Sequence, residues 1–186
     1  MRKALIIGSE GQDGTLLRIL LTNKNYDVWC LSRNKRQQSV ANDRHIFVDL
    51  SGGNYDVLDE FISLHRPDEI YYVAAFHHSS QDQGTSSFKD IEQSINVNQT
   101  GFIRVLEMCK LNHPTARIIY TSSSLIFSGT TQSIQNEKTI TEPRCIYSVT
   151  KCSAMEAAKY YREVHNIFVS IGVMYNHESM YRGENF

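Results

Sequence analysis

The chain has 186 residues, 41% of them hydrophobic and 21% charged, the ordinary range for a globular protein that buries one substantial core. A formal net charge of -1 excludes overall attraction to nucleic acid or an anionic membrane surface, so any anion site has to be built locally. There is no apolar run near the length needed to cross a bilayer, and the short apolar stretch after Met1-Arg2-Lys3 is no signal peptide.

The predicted elements alternate strand and helix. Residues 4–7 read as a first strand, followed at once by Gly8-Ser9-Glu10-Gly11-Gln12-Asp13-Gly14 and a helix over 13–23, in which Leu16, Leu17, Leu20 and Leu21 make an apolar stripe. Glycines in a turn between strand and helix let backbone N–H groups approach a pyrophosphate, and the helix N-terminus adds unpaired donors and a favourable dipole. A strand over 28–31 runs into the basic stretch Ser32-Arg33-Asn34-Lys35-Arg36, and a third over 46–48 ends at Asp49-Leu50. A helix over 54–65 and a strand over 70–75 come next. That strand ends in the small pair Ala74-Ala75, followed by His77 and His78, which lack a third ligand and read as polar loop residues.

A long helix over 88–112 contains Asn98, which either positions structural water or backbone or simply faces solvent. The fifth strand, over 117–120, leads to Ser122-Ser123-Ser124, and the aperiodic residues 125–146 form a candidate active-site loop. In the helix over 147–165, Tyr147 and Lys151 lie four residues apart and share one face. An ammonium near a phenol stabilises the phenolate, which would let Tyr147 act as a base near neutral pH. A sixth strand over 167–174 completes the set. This alternation predicts an α/β fold, a doubly wound parallel sheet of Rossmann type with helices on both faces. Cys30, Cys109, Cys145 and Cys152 show no zinc spacing, no metal site is expected, and the thiols read as reduced in a cytoplasmic protein, which makes the sequon at Asn98 a coincidence.

The glycine spacing, the Y-x-x-x-K pair, and the segments Asn176-His177-Glu178-Ser179 and Arg182-Gly183-Glu184-Asn185-Phe186 resemble the extended short-chain dehydrogenases/reductases, and within them the GDP-mannose 4,6-dehydratase family of the NAD-dependent epimerases/dehydratases. The resemblance implies a lyase of nucleotide-sugar metabolism that acts on GDP-mannose. Its dinucleotide would be held by Gly8, Gly11, Gln12, Asp13, Gly14, Arg33, Asp49, Leu50, Ala74, Ala75, Tyr147, Lys151, His177 and Arg182. Basic Arg33, where NAD-specific relatives carry an acid, favours NADP over NAD, the alternative being an exposed basic loop.

Matching Gly129 to the glycine of the family's S-S-S-x-x-x-Y-G segment makes Ser124 the hydroxyl that bonds the reacting sugar oxygen, with Ser124 and Asn176 as substrate contacts. In the same frame Ile126 stands where the family carries its catalytic glutamate. The remaining readings are a nucleotide-sugar 4-epimerase or 4-keto reductase, and a catalytically silent NADP-binding module. By resemblance the protein is a homo-oligomer, dimer or tetramer, with the loop near Arg33 at a cofactor-bridged interface. Residues 1–186 are expected to be the dinucleotide-binding domain, cut before the substrate-binding lobe.

Overall fold

Four consecutive residues, Ala4, Leu5, Ile6 and Ile7, are each 0% exposed, because the strand they form lies mid-sheet with helices on both sides. Burying an Ile or Leu side chain in full stabilises the fold by about 1.5–3 kcal/mol, so this short run is a large part of the core. The computed structural model describes residues 1–34, 44–77 and 87–181. Its strands are β1 (Lys3–Ile7), β2 (Asp27–Ser32), β3 (Arg44–Phe47), β4 (Glu69–Tyr72), β5 (Arg117–Ser123) and β6 (Val169–Met174). They form one sheet in the order β3-β2-β1-β4-β5-β6, and every pairing is parallel. This is the doubly wound architecture expected.

The helices are α1 (Gln12–Asn23), α2 (Asp56–His65), α3 (Phe88–Ile95), α4 (Gly101–Asn112) and α5 (Ile146–His165). Right-handed crossovers place α1, which steps from β1 to β2, on one face, and the helices that step the opposite way across the sheet on the other. Accordingly α2, α4 and α5 pack on Leu5, Ile7, Ile70, Tyr72, Ile118 and Tyr120, whereas Leu17 and Leu21 of α1 pack on Ala4 and Ile6. The leucine stripe foreseen on α1 is split: Leu21 is buried, but Leu16 and Leu20 are exposed. Gly14 is the cause, since its close approach to Gly8 and Ser9 sets the helix on its Gly14–Leu17–Leu21 line.

The expected long helix over 88–112 is interrupted. A π-helical turn, Asn96–Thr100, lies between α3 and α4, and the Gly101 N–H reaches back five residues to the Asn96 carbonyl. β4 ends at Tyr72 rather than at 75, although Val73 N–H still donates to Ile7 O at 2.9 Å, and β6 starts at Val169. α5 stops at Asn166, whose φ of 56° takes the left-handed conformation that ends helices. On β2, Trp29 packs against Phe61 and His65 of α2 with ring centroids 4.9 and 4.7 Å away, under the Arg44 guanidinium at 4.9 Å. Among the described residues no helix is long and apolar enough to cross a membrane.

Candidate active site

The sheet order reverses direction between β1 and β4, and crevices that take ligands in open α/β sheets form at the carboxyl ends of the strands at such a point. Gly8 follows β1 there with a φ of +94°, a conformation that favours glycine, and a Cβ on it would overlap the Ala74 backbone. Gly14 is likewise required by packing, because a Cβ there would run into Gly8 O and Ser9. Gly11 is different. A Cβ would meet only Gly8 O at 3.5 Å, so the chain itself has room for a side chain that the sequence omits. Gly11 is also the N-cap of α1 and supplies no side-chain cap to the first-turn N–H groups. An uncapped helix N-terminus lined by a residue without a side chain is what a phosphate group requires.

Gln12 and Asp13 open α1 and meet the segment that follows β6. Gln12 Nε2 donates to His177 O at 3.1 Å, and the His177 ring faces Asp13 Oδ1 at 2.7 Å and Tyr175 O at 2.8 Å. This brings His177 to the glycine turn, with exposed Asn176 beside it, while Arg182 lies outside the described residues, as do Lys35, Arg36 and His78. At the ends of β2 and β3, exposed Arg33 lies near Asp49. Partial burial pushes the Asp49 carboxyl up, but hydrogen bonds from Ser51 and the Arg33 charge outweigh it and hold the group below its usual value. Leu50 is buried beneath this corner, and Ala74 and Ala75 continue from β4, the first half-buried and the second exposed.

On the other side of the crevice α5 carries Tyr147 and Lys151 against the end of β5. Lys151 is 1% exposed, and its Nζ donates to Thr121 O at 2.8 Å. The ammonium lies 4.6 Å from the centre of the Tyr120 ring and 5.6 Å from that of Tyr147. Burial pulls the Lys151 pKa down to about 7. Burial also pushes the Tyr147 phenol above its ordinary value; the Ser123 hydroxyl opposes this, and nearby Cys145 adds to it. The lowered phenol pKa expected from the lysine is therefore not found. A lysine depressed to about 7 carries less charge near neutral pH, and Tyr120 holds it to one side.

Of Ser123 and Ser124, it is Ser123 whose hydroxyl acts on the phenol. Ser124 begins a 3-10 turn, Ser124–Phe127, in which Ile126 is fully buried and Leu125 points outward at 38% exposure. His77, read from sequence as a plain loop residue, packs edge-on against the Tyr147 ring at 4.6 Å. Both line a cavity with Phe76, Ser94, Cys145 and Ile146. Nothing in the local sequence signals this contact, which depends on β4 and α5 meeting.

Asn98 is 0% exposed and faces no solvent. Its side-chain Nδ2 donates to Phe76 O and its Oδ1 accepts from Phe76 N–H, both at 2.9 Å, so one side chain clamps the backbone just before His77. The same Nδ2 lies 3.0 Å from Ser94 Oγ and 3.2 Å from Thr150 Oγ1, which ties the π turn to α5.

A family model described as GDP-mannose 4,6 dehydratase matches residues 5–186. The chain belongs to this family. It is 33% identical to GDP-mannose 4,6 dehydratase 1 of Arabidopsis thaliana over 98% of this chain and 54% of the relative. It is also 33% identical to GDP-mannose 4,6-dehydratase of Yersinia enterocolitica, over 100% of this chain and 52% of the relative. The chain thus spans about half the length of the curated family members it matches. Solved structures with the same fold include UDP-glucose 4-epimerase from Brucella ovis in complex with NAD (19% identity, TM-score 0.77, 92% of this chain and 51% of that one). Another is L-threonine dehydrogenase from Clostridium difficile (23% identity, TM-score 0.78, 94% and 53%).

Proposed function

We propose that the chain is the dinucleotide-binding and proton-transferring part of a GDP-mannose 4,6-dehydratase, a lyase that acts on a nucleotide-sugar. The observation that carries this reading is the meeting of Tyr147, Ser123 and Lys151 at the end of β5, across the crevice from a glycine turn whose Gly11 leaves room that the chain does not use. The residues fit a bound dinucleotide: Gly8, Gly11 and Gly14 with the first turn of α1 would hold its pyrophosphate, Ala74 and Ala75 would flank it, and Arg33 would face the adenosine ribose. The chemistry such a cofactor supplies when bound is reversible hydride transfer at C4 of the sugar. NADP is the preferred form because Arg33 offers a cation for a 2′-phosphate, although Asp49 close by offers NAD an acceptor.

Within that site Tyr147, as its phenolate, would take the proton of the sugar 4-hydroxyl, with the Ser123 hydroxyl orienting the oxygen and the protonated fraction of Lys151 supplying charge. Ser123 replaces Ser124 in this role, and the shift of one residue moves the family's glutamate position from Ile126 to Leu125. Either residue is aliphatic and accepts no proton from C5. This favours one second reading, a 4-epimerase or 4-keto reductase, which needs the hydride step but no C5 base; the third is a silent cofactor-binding module. Exposed Val149, Tyr160 and Val164 on α5 support self-association as a dimer or tetramer. Four free thiols support a cytoplasmic setting.

The deciding experiment incubates the protein with GDP-mannose and NADP and resolves the products. A 4-keto-6-deoxy sugar supports the dehydratase, an epimer formed without loss of water supports the second reading, and cofactor binding with no turnover supports the third.

A further inference from the structure

The π turn is held in an unusual way. A π turn displaces its carbonyls from the usual helical ladder, and three successive ones here, Asn96 O, Val97 O and Asn98 O, accept hydrogen bonds from three tyrosine hydroxyls. Tyr55, Tyr72 and Tyr120 donate at 3.0, 2.5 and 2.6 Å, from α2's N-cap, β4 and β5 respectively. Gly101 makes room for this, since a Cβ there would lie 2.5 Å from the Tyr72 hydroxyl. Tyr72 and Tyr120 are both 0% exposed, so each hydroxyl needs its carbonyl and each carbonyl needs its hydroxyl.

Tyr120 differs from the other two because its ring faces a cation. The face of the ring lies 4.6 Å from the Lys151 ammonium while the hydroxyl holds Asn98. Thr121, the next residue, gives Lys151 its carbonyl acceptor. Asn98 in turn clamps Phe76 and reaches Thr150, the residue before the lysine. The aromatic ring thus couples a cation on α5 to an amide on the π turn.

We propose that Tyr120 is a positioning residue for the candidate catalytic lysine: its ring face seats the Lys151 ammonium beside Tyr147, and its hydroxyl fixes the Asn98 carbonyl, so that α5 and the π turn hold a common register. The inference rests on the functional reading above for its purpose, and on the described contacts alone for its geometry. The titratable side chains around the pair are Tyr147 and Cys152 on α5 and Tyr72 on β4.

The two halves of the proposal separate by substitution. Tyr120→Leu removes face and hydroxyl; with no π face to offset its burial, Lys151 should titrate about one pH unit lower than in the wild type, followed by the Lys151 13Cε shift in lysine-labelled protein. Tyr120→Phe keeps the face, so the Lys151 midpoint should stay close to wild type, while amide exchange at Phe76 should accelerate about tenfold as Asn98 loosens. An unchanged midpoint in a folded Leu variant, or unchanged Phe76 exchange in the Phe variant, overturns the proposal. Where the Leu variant does not fold, the Phe variant decides by exchange alone. Dinucleotide binding by the wild type is measured alongside. Its absence would defeat the functional reading and leave the Lys151 and Phe76 readouts intact, whereas a cofactor-binding wild type whose Tyr120→Phe variant binds several-fold more weakly supports both.

Discussion

The two walls of the crevice are built from different materials. The wall at β1 and α1 consists of main chain: Gly8, Gly11 and Gly14, an uncapped helix start and the small residues after β4. The wall at β5, α5 and the π turn consists of buried side chains, with Asn98, Tyr120, Thr150 and Lys151 each at 2% exposure or less. Backbone sites tolerate change except where a Cβ would collide. Side-chain networks fail when any one partner is removed, because the other is left buried and unsatisfied.

Substitutions can break this contrast, beginning with the largest effect. Tyr147→Phe should slow the hydride step by roughly 10²–10⁴-fold with little change in dinucleotide affinity, checked by the nicotinamide absorbance during turnover of GDP-mannose. Equal activity would remove the phenol from the mechanism. Lys151→Met tests the buried cation through its pH dependence. The folded-state pKa of about 7 lies below the ordinary lysine value, so between there and that ordinary value the unfolded chain holds more protons and wild-type stability rises with pH. Below pH 7 the wild type carries the full cost of the buried charge. The Met variant should therefore be more stable by the widest margin there, on the order of a few kcal/mol, with the margin closing as pH rises toward 10.5 in urea titrations.

Asn98→Ala should cost about 3 kcal/mol, since both Phe76 backbone groups and the Ser94 and Thr150 hydroxyls lose a partner. On the backbone wall, Gly14→Ala should cost about 2 kcal/mol by its collision with Gly8 O, read as a fall in Tm. Gly11→Ala should leave Tm unchanged and weaken dinucleotide binding about tenfold, and a large Tm loss would show that Gly11 serves the fold instead. The narrowest effect is expected from Arg33→Ala, weaker NADP binding by about tenfold with NAD unaffected, measured by fluorescence titration at fixed salt.

The same contrast explains what could be read from sequence. β1 and its glycine turn are legible because backbone requirements leave glycine at fixed intervals, and α5 because Tyr147 and Lys151 share its helical period. The π turn was not legible. Residues 88–112 keep a helical pattern throughout, and the turn depends on Tyr55, Tyr72 and Tyr120, which are remote in sequence and meet only after the sheet forms. Which serine meets the phenol is hidden for a similar reason: counting back from Gly129 does not reveal that a 3-10 turn begins at Ser124 and that Ser123, ahead of it, is the serine that acts on Tyr147. The leucines of α1 point the same way, for periodicity marks an apolar stripe but the glycine contact selects which edge of it faces the sheet.

The chain's single tryptophan, Trp29, sits between β2 and α2, at the opposite end of the sheet from α5. It is therefore a built-in optical reporter centred on the β2–α2 corner of the fold. Emission that changes in step with far-ultraviolet circular dichroism during denaturation would show both walls melting as one cooperative unit, and a separate midpoint would show that they come apart.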